Sequence, residues 1–171
     1  SRTINLRHDA IQCEQLKDNN GNAVNVSDLA NLAPANSVAA NGATKTLTAA
    51  DNGNTFRLDT AACTVSTLPA ASGSGVKYKF VVTVPTTSSG TNVIQVANGS
   101  DTMKGTISAE TDSSNVAIVY HAGSTDDTIT LNHGSKGGTV AGEWVEVQDV
   151  LANVWAVRGQ LVQSGTEGTP F

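Results

Sequence analysis

Val76-Lys77-Tyr78-Lys79-Phe80-Val81-Val82-Thr83-Val84 is the stretch that decides the fold. Tyr78, Phe80, Val82 and Val84 recur with period two, and Lys77, Lys79, Val81 and Thr83 occupy the alternate positions. Successive side chains of a strand point to opposite faces, so this pattern predicts a strand with one buried face. Gly73-Ser74-Gly75 precedes it as a turn, and Pro85 to Gly90 follows as a Ser/Thr loop.

The same grammar repeats in both directions. Upstream, Thr46 to Thr48 starts a strand, Asp51-Asn52-Gly53-Asn54 turns the chain, and Thr55 to Asp59 returns with Phe56 and Leu58 on one face. Cys63 to Leu68 is a further strand, closed by Pro69. Downstream, strands are predicted at Val93–Ala97, Met103–Ala109, Asn115–Tyr120, Thr128–Leu131, Glu143–Val150 and Val154–Gly159. Asn98-Gly99, Gly123 to Asp126, Gly134 to Gly138 and Asn153 supply the turns between them. Nine or ten short strands at intervals of about 8 to 14 residues predict an all-β fold, a β-sandwich or flattened barrel of antiparallel strands. No gap shows the 3.6-residue apolar period of a crossover helix. The expected core is Phe56, Leu58, Val65, Tyr78, Phe80, Val82, Ile94, Ile107, Ile118, Ile129, Leu131, Val145 and Val147.

Composition agrees with many turns and few helices. Of 171 residues, 16 are Gly, and Ser, Thr and Asn are frequent. Charged residues make up 15%, against about 25% in ordinary soluble domains. The formal net charge of -5, with basic residues scattered, argues against a nucleic-acid partner. No apolar run approaches the roughly 18 residues that span a bilayer, so no membrane partner is expected. No signal peptide is read at the start, where Ile4 and Leu6 alternate with polar neighbours.

Three regions are predicted: an extended arm at 1–45, a β domain at 46–162, and a flexible Gly/Thr-rich tail at 163–171 that ends in an isolated Phe171. The arm has too few apolar residues for a core of its own. Within it, Thr3 to Arg7 alternates as a short strand would, placing Ile4 and Leu6 on one face, and Asn36 to Thr44 reads as linker. A strand that adds to a partner's sheet has this form, so Ile4 and Leu6 are interface candidates.

Catalytic patterns are missing. His8, His121 and His133 lack the i+2 or i+4 partner of common metal motifs, and there is no Gly-x-Ser-x-Gly, phosphate loop or dinucleotide fingerprint. Asp126-Asp127 and Glu110 with Asp112 are acidic pairs of the kind usually solvated in turns; Ca²⁺ needs six or more oxygen ligands. The expectation is a chain without enzymatic activity and without a cofactor. Cys13 and Cys63 are either bridged or free, and a buried free thiol is expected at Cys63. Trp144 and Trp155, the only two Trp residues, fall on successive strands. They either pack in the core or across strands, or form a subunit interface; Trp144 is out of phase with Val145 and Val147, and Trp155 is opposite Val154 and Ala156 but in phase with Val157, and both are interface candidates.

Several segments together carry a resemblance. Thr46-Leu47-Thr48-Ala49-Ala50-Asp51-Asn52-Gly53-Asn54-Thr55-Phe56 is similar to a strand-turn-strand element of tailed-bacteriophage virion proteins, which leads into a strand ending in Leu-Pro, as Val65 to Leu68 and Pro69 do. Gly142-Glu143-Trp144-Val145 and Val154-Trp155-Ala156-Val157-Arg158-Gly159 extend the likeness over roughly residues 44–162. The chain thus resembles head decoration (cement) proteins, a group that also includes tail and fibre modules. The resemblance implies a non-catalytic structural virion protein on the outer capsid surface. It implies a homo-oligomer, expected as a trimer, with the major capsid protein as partner and stabilisation of the capsid as its role. The alternative is a tail or fibre module that binds host glycans.

Overall fold

A computed structural model of the chain describes residues 37–112 and 116–171. Ile4, Leu6 and Cys13 lie outside them. The described residues form an all-β fold of eleven strands: β1 Val38–Ala40, β2 Thr44–Thr46, β3 Thr55–Leu58, β4 Thr64–Thr67, β5 Lys77–Val82, β6 Asn92–Gln95, β7 Thr102–Thr111, β8 Ala117–His121, β9 Thr128–Leu131, β10 Trp144–Leu151 and β11 Val154–Gln163. One 3₁₀ turn, Ala49–Asp51, begins the predicted Asp51–Asn54 turn. The Asp51 carboxylate accepts the Thr48 backbone N–H at 2.9 Å and pairs with Lys45 at 3.2 Å, which holds the turn closed.

The strands make two sheets. The larger has seven, in the order β1-β3-β5-β10-β11-β7-β8; the smaller has four, in the order β2-β4-β6-β9. From β1 to β6 the chain alternates between them, odd strands in one and even strands in the other. As a result β1, β3 and β5 run parallel, as do β2, β4 and β6. Parallel neighbours need a long crossover, usually a helix. Here a strand of the opposite sheet fills that role: β4 lies within residues 59–76 between β3 and β5. The expected antiparallel arrangement is therefore corrected to a mixed one. Antiparallel pairs occur at β5-β10, β10-β11, β7-β8 and β6-β9, while β7 and β11 form a ten-residue parallel ladder.

Both sheets feed one buried cluster. Phe56, Leu58, Tyr78, Phe80, Val82, Met103, Ile107, Val145, Val147, Trp155, Val157 and Leu161 come from the larger sheet, and Ile94, Ile129 and Leu131 from the smaller. Phe56 meets Phe80 at 5.7 Å between ring centroids, and Tyr78 meets Trp155 at 5.8 Å. The Tyr78 hydroxyl donates to the Thr48 carbonyl at 2.9 Å. Burial, reinforced by the charges of Asp51 and Asp149, pushes that hydroxyl up to about 12, so it remains a neutral donor.

Two expected core residues differ. Val65 and Ile118 are only half-buried. In β4 the buried face belongs to Thr64 and Ser66, because each finds a partner inside: Thr64 Oγ1 donates to Asn92 Oδ1 at 2.7 Å and Ser66 Oγ to Asn41 Oδ1 at 2.8 Å. A polar side chain satisfied in this way can be buried at little cost. Ile118 sits in β8, which among the described residues is an edge strand with one side uncovered.

The expected boundaries also shift. β1 and β2 fall in the stretch read as arm and linker, and Val38 to Ala40 pairs residue by residue with Thr55 to Arg57. At the other end β11 runs through Gln163. The expected flexible tail is tied down: Gly168 N donates to Ser135 O at 2.8 Å, Thr130 N to Pro170 O at 2.8 Å, and Phe171 packs against the core.

Candidate functional site

Strand β10 and the residue just before it carry two acids on the strand's apolar phase. Glu143, Val145, Val147 and Asp149 are all buried, one every second residue. A buried carboxylate needs donors, and each acid has a turn built around it. Asp149, 1% exposed, accepts backbone N–H bonds from Ser72, Gly73 and Ser74 and hydroxyl bonds from Ser72 and Ser74, at 2.7 to 3.2 Å. Gly73 takes φ +79, which lets the successive N–H groups converge. Burial works against the charge, but the Ser74 hydroxyl and the three backbone donors outweigh it and hold Asp149 down at about 2. Glu143 anchors the 138–140 turn, accepting from the backbones of Gly138, Thr139, Val140 and Val162. Asp101 accepts from Ala71 N at 2.9 Å and Asn98 Nδ2 at 3.0 Å. None of these three anchors is among the candidate residues expected from the sequence. For Glu143 and Asp149 the available signal was an acid in phase with Val145 and Val147.

The opposite face of the larger sheet presents Lys77, Lys79, Trp144, Glu146, Gln148 and Arg158 outward. Arg158 Nε donates to Glu146 Oε1 at 2.8 Å, and Lys77 Nζ lies 4.0 Å from Glu146 Oε2. Lys79 Nζ sits 4.7 Å from the centroid of the Trp144 ring. Glu146, Gln148, Ala156, Val157 and Arg158 line an open depression of about 190 Å³. Surface pairs of this kind add about 0 to 1 kcal/mol each, so the row contributes little to stability.

The two Trp residues separate. Trp144 is half-buried on that outer face, whereas Trp155 is fully buried against Tyr78. As an interface candidate Trp155 is thus corrected: a side chain with no exposed surface cannot meet a partner. Its strand position places it opposite Met103 of β7, on the inner face. Trp155→Ala should lower stability by about 3 to 5 kcal/mol and Trp144→Ala by less than about 1 kcal/mol, read as urea midpoints on the two variants.

Cys63 also departs from expectation. It precedes β4 and is exposed, bonded to none of the described residues. The acidic pairs serve turns: Asp126 accepts from Gly123 N, Asp127 from the Thr128 hydroxyl, and Asp112 from Gly165 N. Among the described residues no group of three or more His, Cys, Asp or Glu is placed to hold a metal ion. No family model, curated protein or solved structure matches the chain.

Proposed function

We propose that this chain is a non-catalytic structural component of a phage particle, decorating the outer surface of the head as a homo-oligomer, with a trimer expected, bound to the major capsid protein. The resemblance over residues 44–162 carries this reading, above all the strand-turn-strand Thr46–Phe56. Its non-catalytic half is supported by how the buried carboxylates are used. Glu143, Asp149 and Asp101 each accept from turn backbones, which leaves them committed to holding loops. We further infer that the two sheets pack face to face as a sandwich, because both contribute to one buried cluster. The arm then reaches a neighbouring subunit, where Ile4 and Leu6 fill apolar positions along an added strand.

The test is copy number. The protein should co-sediment with expanded capsids at one fixed stoichiometry, in hundreds of copies, and raise their disruption temperature. Light scattering on the free protein should give a multiple of 17.5 kDa. No co-sedimentation would overturn the decoration reading. The second reading, a glycan-binding tail or fibre module, is favoured by Trp144 beside the depression at Glu146 and Arg158. It predicts a handful of copies per particle and binding on a glycan array.

A further inference from the structure

Four strands form the edges of the two sheets: β1 and β8 in the larger, β2 and β9 in the smaller. An open edge is a template for another strand, and proteins blunt it by shortness, Lys, Pro, a bulge or a cover. Three of the four are blunted. β1 and β2 have three residues each, and β2 carries Lys45. The tail overlies β9 through the Thr130–Pro170 hydrogen bond. Among the described residues β8 has none of these devices. Its five residues, Ala117-Ile118-Val119-Tyr120-His121, include neither Lys nor Pro, and its register with β7 is unbroken from Glu110↔Ala117 to Thr106↔His121. Val116 and Val119 are each 52% exposed. On the inner side Ile118 and Tyr120 continue the row begun by Ala109 and Ile107, and both are only half-buried. Among the described residues the apolar layer therefore runs out to the edge without a final strand to close it.

We propose that Thr3–Arg7 of a second copy of this chain adds to β8 as the eighth strand of the larger sheet. This rests on the oligomer part of the function proposed above. The lengths agree, five residues against five. So does the pattern: Ile4 and Leu6, two apart, would lie beside Ile118 and Tyr120, two apart, while Thr3, Asn5 and Arg7 share the outer face with Val119 and His121. Main-chain bonds would supply affinity and the paired apolar side chains the register. The 36 residues before Ser37 enter the sheet at β1, the edge opposite β8, about 28 Å away at roughly 4.7 Å per strand. Residues 8–36 can span at most several times that width at about 3.3 Å each, long enough to extend past their own sheet. An arm from β1's side that binds β8 of the next copy makes a head-to-tail contact, and such contacts close into rings when the rotation allows.

Cross-linking between two full-length chains tests this. Both carry Cys13→Ser and Cys63→Ser. One adds Asn5→Cys; the other, isotope-labelled, adds Ala117→Cys, Val119→Cys or His121→Cys in turn, to cover neighbouring registers. Val150→Cys, at an exposed position on β10, is the control acceptor. At least one β8 position should form the mixed disulfide about a hundredfold faster than the control, since docking raises the local concentration from micromolar toward millimolar. Equal rates at β8 and at Val150→Cys would overturn the inference. So would a chain carrying both Asn5→Cys and Val119→Cys that closes only on itself. Capsid co-sedimentation of the unaltered chain reports separately on the virion reading, which can fail while the cross-link stands.

Discussion

Asp149→Ala should lower stability by about 3 to 5 kcal/mol. The substitution leaves three backbone N–H groups, those of Ser72, Gly73 and Ser74, without their acceptor. An unsatisfied buried donor costs about 1 to 3 kcal/mol, and the turn can rotate part of the set toward water. The consequence reaches beyond the turn, because this segment feeds β5, whose Tyr78, Phe80 and Val82 sit at the centre of the core. Chemical denaturation at pH 7 measures the loss; a shift below 1 kcal/mol would show that the turn holds without its acid. The same carboxylate makes stability depend on pH. Its folded value of about 2 lies below the ordinary 3.8, so the folded state prefers the charged form. That contribution is complete above pH 4 and is lost as pH falls from 4 through 2. It amounts to about 2 kcal/mol, at about 1.4 kcal/mol per unit. Asp149→Asn should flatten the stability profile in that window while leaving the neutral-to-alkaline part parallel to wild type.

Gly105→Ala should be as severe, by a different route. Gly105 stands in the middle of β7 at φ +138, a backbone state that L side chains rarely adopt. A Cβ there would fall 2.0 Å from the carbonyl oxygen of Val157 in β11. The obstacle is backbone, so no side-chain rotation relieves it; β7 and β11 must separate. Their ladder runs over ten residues and carries Met103, Ile107, Trp155 and Leu161 into the core. A loss of about 4 kcal/mol or more is expected, a large part of the total stability of an ordinary domain. Gly42→Ala is the control. Gly42 also has positive φ, +64, but nothing lies within 4 Å of its added Cβ, so only the backbone term of about 1 to 2 kcal/mol remains. Circular dichroism and soluble yield of the two variants compare the effects. Equal stability would mean that the close approach of β7 and β11 is not a constraint.

Nearly all the strand positions were legible in the sequence. Alternation in Val76–Val84 and in Thr128–Leu131, and dipeptides such as Asn98-Gly99, encode where a chain extends and where it turns, because both depend on neighbouring residues alone. The outer-face position of Trp144 followed from the same phase. The exceptions are local as well: β1, Val38-Ala39-Ala40, is three residues in a run of Asn and Ala, too short to show a period, and β2, expected at Thr46–Thr48, lies at Thr44–Thr46.

Pairing was decided only by the tertiary structure. A strand of period two looks the same whether its neighbour runs parallel or antiparallel, so the alternation of β1 to β6 between two sheets left no local mark. Val65 was expected in the core, but Thr64 and Ser66 take the inner face once Asn92 and Asn41, distant in sequence, are brought to them. Trp155 read as a surface candidate until β7 and β5 enclosed it. In each case the side chain's environment is set by partners tens of residues away, while the sequence by itself determined which backbone stretches were extended and which of their faces differed in polarity.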